Sequence, residues 1–501
     1  MNDRSAVRAG DVGAGEVPAD GLWADGVRAP ADRLDPRART VITVLLVSAF
    51  VVILNETIMS VALPVLMTDL GVSASVGQWL TAGFLLTMSV VIPITGFLIR
   101  RFPTRLLFGT AMGLFSTGTL LAALAPGFPV LLAARVVQAG GTAIMMPLLM
   151  TTVMTLVPPA RRGVMMGNIS IVISVAPAIG PAVSGLVLSV LGWRFLFWLV
   201  LPIALTALVV GLRRVTDVGE TAVMRIDVVS VVLSALGFGG VVYGLSSVGQ
   251  AAGVATSTWV AFGVGVLGIV AFVLRQLALQ RTDRALLDLR TLRFPIFTIS
   301  SLVMMVMFAL LLGAAVLLPI FTQSVQGLTP LATGLLLLPG GLLMGLLGPV
   351  VGRLYDRFGA RVPLVPGTIA TSLALWSTTF LGPHSPAWHV LAFHLVLSLG
   401  LAFAFTPLFT AGLGALPPHL YSYGSAIFGA TQQLAGAAGV ALLVSVYSVR
   451  AASLTGAPEV ERIAGGMHVA FLVAACLSVV AVVGSLFVRT PSVDNAHDDP
   501  A

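Results

Sequence analysis

Long apolar stretches, separated by short polar loops, run from about residue 41 to residue 488. A helix that crosses a lipid bilayer needs about 20 mainly apolar residues, and the stretches are long enough for fourteen such helices. An even number of crossings would leave both ends of the chain on the same side of the membrane. The predicted spans are residues 41–66, 77–98, 106–125, 129–156, 164–190, 193–212, 227–247, 257–274, 296–320, 331–352, 362–380, 388–411, 424–449 and 468–488.

A ten-residue segment occurs twice, 256 positions apart, each time between two predicted spans. Residues 352–361 read GRLYDRFGAR and residues 96–105 read GFLIRRFPTR, so five positions coincide. The fourth and twelfth spans align at a similar offset, which pairs Gly140 with Gly400. A loop repeated at the same place in two halves of a membrane protein indicates a duplicated transporter fold. We therefore predict an all-α polytopic membrane protein with two six-helix halves and an extra central pair of helices.

This organisation divides the chain into five segments. Residues 1–40 are rich in Gly, Ala, Asp and Arg and lack an apolar core, so we expect a disordered tail and not a signal peptide. The first half is predicted over 41–212, the extra pair with its flanking loops over 213–293, and the second half over 294–488. A second cytoplasmic tail is predicted over 489–501.

Composition excludes several classes of protein. Hydrophobic residues make up 57% of the chain and charged residues only 9%, against about 25% charged residues in soluble domains. All 27 basic residues are Arg and cluster in short loops, so the net charge of +7 does not indicate nucleic-acid binding. Cys476 is the only cysteine, which leaves neither a disulfide nor a cysteine metal site. We expect a monomer in the lipid bilayer, without metal or cofactor.

The distribution of arginine predicts the orientation. With these spans, 23 arginines fall in the tails and loops on one side and three on the other, while Arg135 lies inside a span. Because cytoplasmic loops carry the excess of basic residues, both termini are expected in the cytoplasm and the protein in the cell membrane. Four tryptophans near span ends are expected to anchor at the membrane interfaces: Trp193, Trp198, Trp259 and Trp388.

Three further motifs point to one family. Residues 54–64 read LNETIMSVALP, residues 135–141 read RVVQAGG, and a glycine-rich pattern in the fifth span has a characteristic spacing. These segments resemble the first-helix, fourth-helix and antiporter motifs of the major facilitator superfamily, in its fourteen-helix drug:proton antiporter branch. The usual acid of the first motif stands at the position of Asn55 and has moved here to Glu56. The antiporter motif comprises Gly167, Gly180, Pro181 and Gly185, with Ala176 and Ser184 replacing two glycines.

The resemblance implies a proton-coupled multidrug efflux transporter that works by alternating access. Asn55-Glu56, Gln432-Gln433 and Asp227 followed by Ser230 look closest to the lincomycin-resistance-like exporters of that branch. In the first copy of the repeated loop, Arg100 and Pro103 stand where the family has Asp and Gly. The cytoplasmic loop motif is predicted to comprise Gly96, Arg101, Arg105, Gly352, Asp356, Arg357, Gly359 and Arg361, whose arginines either latch loops to helix ends or only enforce topology.

Two charged residues lie deep inside predicted spans, Glu56 in the first and Arg135 in the fourth. A charge at the bilayer centre costs on the order of 2.5–3.5 kcal/mol on insertion scales, so its presence is a functional hypothesis. Glu56 lies about 22 Å into its span from the cytoplasm and Arg135 about 9 Å from the outside, which gives nearly the same depth. We predict that Glu56 carries the proton and that Arg135 sets its proton affinity by pairing with it. The alternatives are a purely structural ion pair and a Glu bonded to a backbone carbonyl.

Other polar and flexible side chains are candidates for substrate contact or simply for helix packing. Asp227 fits a helix N-cap, and His394, beside the position that matches Arg135, fits either a titrating imidazole or a satisfied histidine. Met side chains could form a deformable pocket wall, and Gln side chains could bond a drug or a neighbouring helix. The candidate substrate-binding residues are Asn55, Met59, Gln138, Met145, Gln432 and Gln433.

Several alternatives stay open. The chain has no lysine and no P-loop pattern, so ATP is not expected to be the energy source. No metalloprotease or serine-hydrolase motif marks an intramembrane enzyme. A proton- or sodium-coupled importer, a dedicated exporter of an endogenous metabolite, and a receptor or assembly protein without flux remain as alternatives to drug export.

Overall fold

A computed structural model of the chain describes residues 35–219, 221–222, 226–248, 256–382 and 385–490. The predicted tails lie almost entirely outside these residues. The first half of the described chain contains six long helices and one short one. They are α1 (Pro36–Asp69), α2 (Ala74–Gly77), α3 (Trp79–Arg101), α4 (Thr104–Ala123), α5 (Phe128–Leu156), α6 (Arg162–Val190) and α7 (Arg194–Arg214).

The extra pair and the second half follow the same plan. A π-helical turn, Phe321–Val325, extends α10, and a 3-10 turn, Thr378–Phe380, extends α12. The helices are α8 (Val228–Val248), α9 (Thr256–Leu279), α10 (Pro295–Ile320), α11 (Pro330–Phe358), α12 (Arg361–Ser377), α13 (Ala387–Gly414), α14 (Tyr421–Ser453) and α15 (Glu459–Ser485).

The predicted spans agree with these helices. In the part of the chain that the structure describes, thirteen helices are at least 18 residues long and apolar enough to cross a membrane. The predicted span 362–380 corresponds to α12, whose 17 residues are the lower limit for a crossing and are continued by the 3-10 turn. The first helix begins at Pro36, five residues earlier than predicted, because Asp35 caps it by accepting a bond from Arg37 N at 3.0 Å.

Two interfaces join the halves. Along one, α6 of the first half packs against α11 of the second, and along the other α3 packs against α14. The extra helix α8 contacts both α3 and α14, whereas α9 packs chiefly on α8. The extra pair therefore lies over the α3–α14 interface. Among the described residues, neither α8 nor α9 packs on the α6–α11 interface to a comparable extent.

One tryptophan does not occupy the predicted position. Trp198, Trp259 and Trp388 are 42%, 57% and 62% exposed on the outside of the bundle, as interfacial anchors require. Trp193 is only 2% exposed, and its indole N–H donates to Asp69 at 2.6 Å. Trp193 therefore does not face outward as an interfacial anchor would, because Asp69 at the end of α1 accepts its indole N–H.

Candidate functional site

Arg135 is the largest fully buried side chain among the described residues. Its Nη1 donates to Oε1 of Gln138 at 2.6 Å, and its guanidinium lies 4.0 Å from the ring centroid of Phe84 on α3. Gln138 in turn donates to Thr119 Oγ1 at 2.8 Å, and Thr119 donates to the Phe115 carbonyl. The Arg-x-x-Gln motif thus places the cation between an amide acceptor and an aromatic face, the two partners that stabilise a guanidinium away from water.

Glycines set the distance between the helices that carry this network. A Cβ on Gly118 of α4 would lie 2.6 Å from Gln138 N, and one on Gly141 of α5 would overlap the Ala111 carbonyl oxygen. Larger residues at these positions would separate α4 from α5. The bond between Gln138 and Thr119 therefore depends on close backbone approach at Gly118 and Gly141.

Glu56 lies near the middle of α1, is partly buried, and interacts electrostatically with Arg135. Within the described residues, no hydrogen bond or ion pair joins its carboxylate to another side chain. The predicted direct pair with Arg135 is therefore not formed in this conformation, because Gln138 and Phe84 already hold the guanidinium. Two buried donors also lack a partner among the described residues, Arg135 Nε and Asn55 Nδ2.

The fifth-span motif packs against α1 beside Glu56. A Cβ on Gly180 would overlap Oγ1 of Thr57, and Ser184 Oγ donates to the Ile58 carbonyl at 3.0 Å. The serine that replaces a motif glycine thus bonds the α1 backbone. A Cβ on Gly185, by contrast, would meet nothing within 4 Å, so of these two motif glycines only Gly180 is required for the close approach of α6 to α1.

At the α6–α11 interface, glycines let the backbones of the two helices come into contact. A Cβ on Gly167 would overlap the Gly348 carbonyl oxygen, and one on Gly352 would overlap the Gly163 carbonyl oxygen. Further along, a Cβ on Gly341 would lie 2.8 Å from Cβ of Ala178. The two halves therefore touch main chain to main chain along this interface.

The second copy of the repeated loop caps a helix of the first half. Asp356 accepts bonds from Gly163 N at 2.7 Å and Val164 N at 2.9 Å, in the first turn of α6. A carboxylate there satisfies free N–H groups and lies at the positive end of the helix dipole. Gly359 ends α11 with φ of +81°, a backbone conformation that favours glycine.

The first copy meets the second half in a different way. Arg100, at the position equivalent to Asp356, places its guanidinium 5.4 Å from the ring centroid of Tyr423 on α14. Gly96 also packs on Tyr423, since a Cβ there would lie 3.2 Å from Tyr423 Cα. Pro103, at the position of Gly359, follows an extended Phe102, so α3 ends without a left-handed residue.

The motif arginines differ in what they contact. Arg101 and Arg357 lie over the rings of the following phenylalanines, Phe102 and Phe358, at 5.5 and 5.0 Å. Arg361 donates to the Leu486 carbonyl at 2.7 Å and so latches the end of α15. The backbone N–H of Arg105, and not its side chain, is bonded by Asp217 at 2.9 Å.

Sequence analysis missed one arginine latch. Arg162 donates to the carbonyls of Met154 and Val157 at 2.9 and 3.1 Å, which ties α6 to the end of α5, and its guanidinium lies 5.5 Å from the Tyr421 ring centroid. In the sequence, Arg162 contributes only to the count of basic residues that predicts the orientation. It stands beside Arg161, and nothing in the local sequence indicates which of the two adjacent arginines bonds the end of α5.

Contacts between the halves also occur near the basic loops. Thr151 bonds Ser425 at 3.1 Å, and Ser170 bonds Thr406 at 2.9 Å. Together with Asp356, these contacts join the two halves at the end of the bundle that carries the basic loops.

The candidate substrate residues are all buried or partly buried in this conformation. Met145 is 0% exposed, Met59 3% and Asn55 1%, so they lie in packed regions. Gln432 and Gln433 are partly buried on α14, and Gln433 contacts Met88 Sδ at 3.9 Å across the α3–α14 interface. Their role in substrate binding stays a prediction.

Asp227 and His394 have clear local partners. Arg275 forms two bonds to Asp227, at 2.6 and 2.8 Å, and this guanidinium holds the pKa of Asp227 well below its usual range. Asp227 also accepts from Ser230 N at 3.0 Å, which confirms the N-cap. His394 Nε2 bonds the Leu337 carbonyl at 3.0 Å.

The architecture and motifs agree with the comparison to known proteins. Residues 45–440 match the sequence profile of the Major Facilitator Superfamily. The chain belongs to this superfamily. It is therefore a multi-pass membrane transporter and not a classical enzyme, and the major facilitator fold implied by the resemblance is confirmed.

Two curated relatives cover nearly the whole chain. The uncharacterized MFS-type transporter YcnB of Bacillus subtilis (strain 168) is 41% identical over 461 residues, which are 91% of this chain and 96% of YcnB. The lincomycin resistance protein LmrB of the same organism is 37% identical over 461 residues, which are 90% and 96% of the two chains. The predicted resemblance to lincomycin-resistance-like members of the superfamily is thus confirmed.

A solved structure shows the same fold. The proton:xylose symporter XylE, bound to 6-bromo-6-deoxy-D-glucose, superimposes with a TM-score of 0.64 and 16% identity, covering 91% of this chain and 96% of that one. At this identity the likeness supports the major facilitator fold alone.

Proposed function

We propose that this superfamily member is a drug:proton antiporter that exports amphipathic small molecules across the cytoplasmic membrane. The observation that carries the proposal is Glu56, a mid-membrane carboxylate without a hydrogen-bond partner among the described residues, placed within the field of Arg135. A persistent charge at this depth requires a function or a partner. The name of the relative LmrB, a lincomycin resistance protein, supports small drugs as the substrate class.

The coupling of proton and substrate movement follows from the two sets of partners that the Arg135 guanidinium can have. In the present arrangement, Gln138 and Phe84 hold the guanidinium while its Nε lacks a partner among the described residues. When Glu56 loses its proton, its carboxylate becomes an acceptor for such a buried donor, and pairing the two removes a desolvation cost of about 1–3 kcal/mol. Protonation of Glu56 removes that attraction. The proton and a cationic or hydrogen-bonding substrate thus compete for one carboxylate.

Alternating access would require the contacts between the halves near the basic loops to form and break. The positive-inside bias supports a cytoplasmic position of the basic loops, and we propose that the contacts of Asp356, Thr151 and Ser170 between the halves close that side. Export requires these contacts to separate once per cycle, so that the substrate enters from the cytoplasm.

The test uses energised inside-out vesicles that carry a pH-sensitive dye. Lincosamides and cationic dyes are added in turn to vesicles containing the parent, Glu56→Gln, or the control Glu461→Gln, which removes an exposed carboxylate from the first turn of α15. We expect at least one compound to discharge the pH gradient with the parent and the control, and none with Glu56→Gln.

Three results would contradict the proposal in different ways. If Glu56→Gln couples normally, Glu56 is structural and the proton carrier lies elsewhere. If no compound affects the gradient with the parent, multidrug export is wrong. If substrate and protons move in the same direction, the transporter is a symporter and imports its substrate.

A further inference from the structure

A groove of about 520 Å³ opens on the outside of the bundle, between α1 and α7. Thr43, Val44 and Val47 line it from α1, and Ile203, Thr206 and Val210 are among the residues that line it from α7. Val47, Ile203 and Val210 are 49%, 44% and 41% exposed. An apolar groove with open, exposed walls in a membrane protein faces the lipid, and its volume lies in the range of about 300–1,000 Å³ typical of small-molecule sites.

The groove is apolar throughout, although two threonines line it. Thr43 Oγ1 donates to the Arg39 carbonyl at 2.8 Å, and Thr206 Oγ1 donates to the Pro202 carbonyl at 2.7 Å. Both hydroxyls are thus satisfied within their own helices. A polar ligand would find no free group along these walls, whereas a hydrocarbon chain would meet only methyl groups and methylenes.

Four arginines stand at one end of the groove. On α7, Arg213 and Arg214 follow Val210 by three and four residues, and on α1, Arg39 precedes Thr43 by four. Residues with this spacing share one face of a helix, so these arginines lie on the grooved faces. Arg37, Arg39, Arg213 and Arg214 are all exposed, and none forms an ion pair with a described acid.

The dimensions fit one leaflet of a bilayer. From Val210 to Pro202 the groove runs eight residues along α7, about 12 Å at 1.5 Å per residue. Half of a hydrocarbon core about 30 Å thick is about 15 Å. The arginines therefore stand at headgroup level when the groove lies at the level of the acyl chains.

We infer that the α1–α7 groove is a binding site for an anionic diacyl phospholipid of the leaflet on the side of the basic loops. One acyl chain occupies the groove, and Arg213, Arg214 and Arg39 bind the phosphate. Arginine is suited to this role because its planar donors match phosphate oxygens in pairs. The site is separate from Glu56 and does not depend on the substrate that is transported.

The test measures lipid retention by native mass spectrometry of the full chain purified in detergent. Phosphatidylglycerol and phosphatidylcholine with identical acyl chains are titrated onto the parent, Arg213→Gln/Arg214→Gln, and Thr206→Trp, which fills the groove from an exposed position. The control is Arg281→Gln/Arg284→Gln, which removes the same charge from two exposed arginines in another loop on the same side. Thermal melting without added lipid verifies that each variant is folded.

We expect the parent to prefer phosphatidylglycerol, with affinity lowered roughly fivefold for each groove arginine removed and roughly 25-fold for the pair. Thr206→Trp should weaken phosphatidylglycerol binding to a similar degree, and the control should not. If the double variant does not fold, the single variants Arg213→Gln and Arg214→Gln carry the test at fivefold each.

Four outcomes would overturn the inference. Equal loss in the control would show unspecific attraction to basic loops, and full retention by Thr206→Trp would show that the groove is not the site. Equal retention of phosphatidylcholine would show an apolar contact without headgroup recognition. Competition by glycerol phosphate alone would show a phosphate site that needs no acyl chain.

Discussion

The two interfaces between the halves occupy equivalent places in the internal repeat, yet they are built differently. At the α6–α11 interface, backbone meets backbone at Gly167 and Gly348, and Asp356 caps the first turn of α6. At the α3–α14 interface, Arg100 replaces the equivalent acid and stacks on Tyr423, and α14 begins without an acidic residue in its first turn. The extra helix α8 packs over this second interface.

The difference indicates a division of labour. The α6–α11 interface has close contact and a charge-assisted cap, so we infer that it holds the halves together at the end that carries the basic loops, which is the cytoplasmic side under the proposed function. The α3–α14 interface has an arginine near the positive end of a helix, where a cation is unfavourable. The extra helix α8 packs on both α3 and α14 and so adds contact at this interface.

The largest expected effect comes from breaking the backbone contact. Gly167→Leu would force α6 from α11, because the atoms it meets are backbone and cannot change rotamer. We expect a cost at the upper end of overpacking, about 3 kcal/mol, and loss of transport in vesicles. Gly185→Leu in the same helix, where nothing lies within 4 Å, is the control; equal loss there would refute the assigned importance of this contact.

Removing the cap should have the next largest effect. Asp356→Asn weakens two bonds to the first turn of α6 by about 1–2 kcal/mol, which opens the cytoplasmic side about tenfold more often. Spin labels at Leu106 and Val362, in a Cys476→Ser background, report the distance between the halves. Asp217→Asn, which uncaps α4 without bridging the halves, is the control. A distance distribution equally broadened by both variants would contradict the role of Asp356.

Restoring the missing acid should have a smaller and opposite effect. Arg100→Asp removes a cation from the start of α14 and adds an anion, which favours closure by about 1 kcal/mol. The same spin labels should show a narrower distribution, and transport should slow a few-fold because opening is harder. A broader distribution would show instead that stacking of Arg100 on Tyr423 contributes more than the helix dipole.

The smallest effect on transport is expected from a substitution of Asp227, which caps the start of α8. The pKa of Asp227 is held below its usual range by Arg275, so this contribution to stability is complete above about pH 4 and is lost only as pH falls further. Asp227→Asn should therefore lower thermal stability by about 1 kcal/mol, equally at pH 5.5 and pH 8. The pH profile of transport should stay unchanged; an altered profile would assign Asp227 a part in coupling.

Much of the fold followed from sequence because membrane helices have one dominant requirement, a long apolar run. The repeat predicted two six-helix halves, and helix geometry predicted that Glu56 and Arg135 lie at a similar depth, with which their electrostatic interaction agrees. The partners of these residues did not follow. The Arg135 guanidinium could bond a carboxylate on α1 or Gln138 one turn away on its own helix. The choice depends on Phe84 of α3, which lies against the guanidinium, and on Thr119 of α4, which bonds Gln138.

The partners of Asp356 could not be predicted from the sequence either. They are two backbone N–H groups about 190 residues away in sequence, and backbone groups carry no residue-type signal. The buried Trp193 shows the same limit, since its acceptor Asp69 lies on another helix and hydropathy does not identify it.

The backbone contact between α6 and α11 also has a pharmacological consequence. An inhibitor wedged beside Gly167 and Gly348 would be recognised through main-chain atoms, which are the same whatever amino acid is encoded. A substitution that blocked the wedge would have to add side-chain atoms where the helices need none, and it would disable the transporter as well. Escape from such a compound would therefore carry its own penalty, unlike escape at side chains that bind substrates.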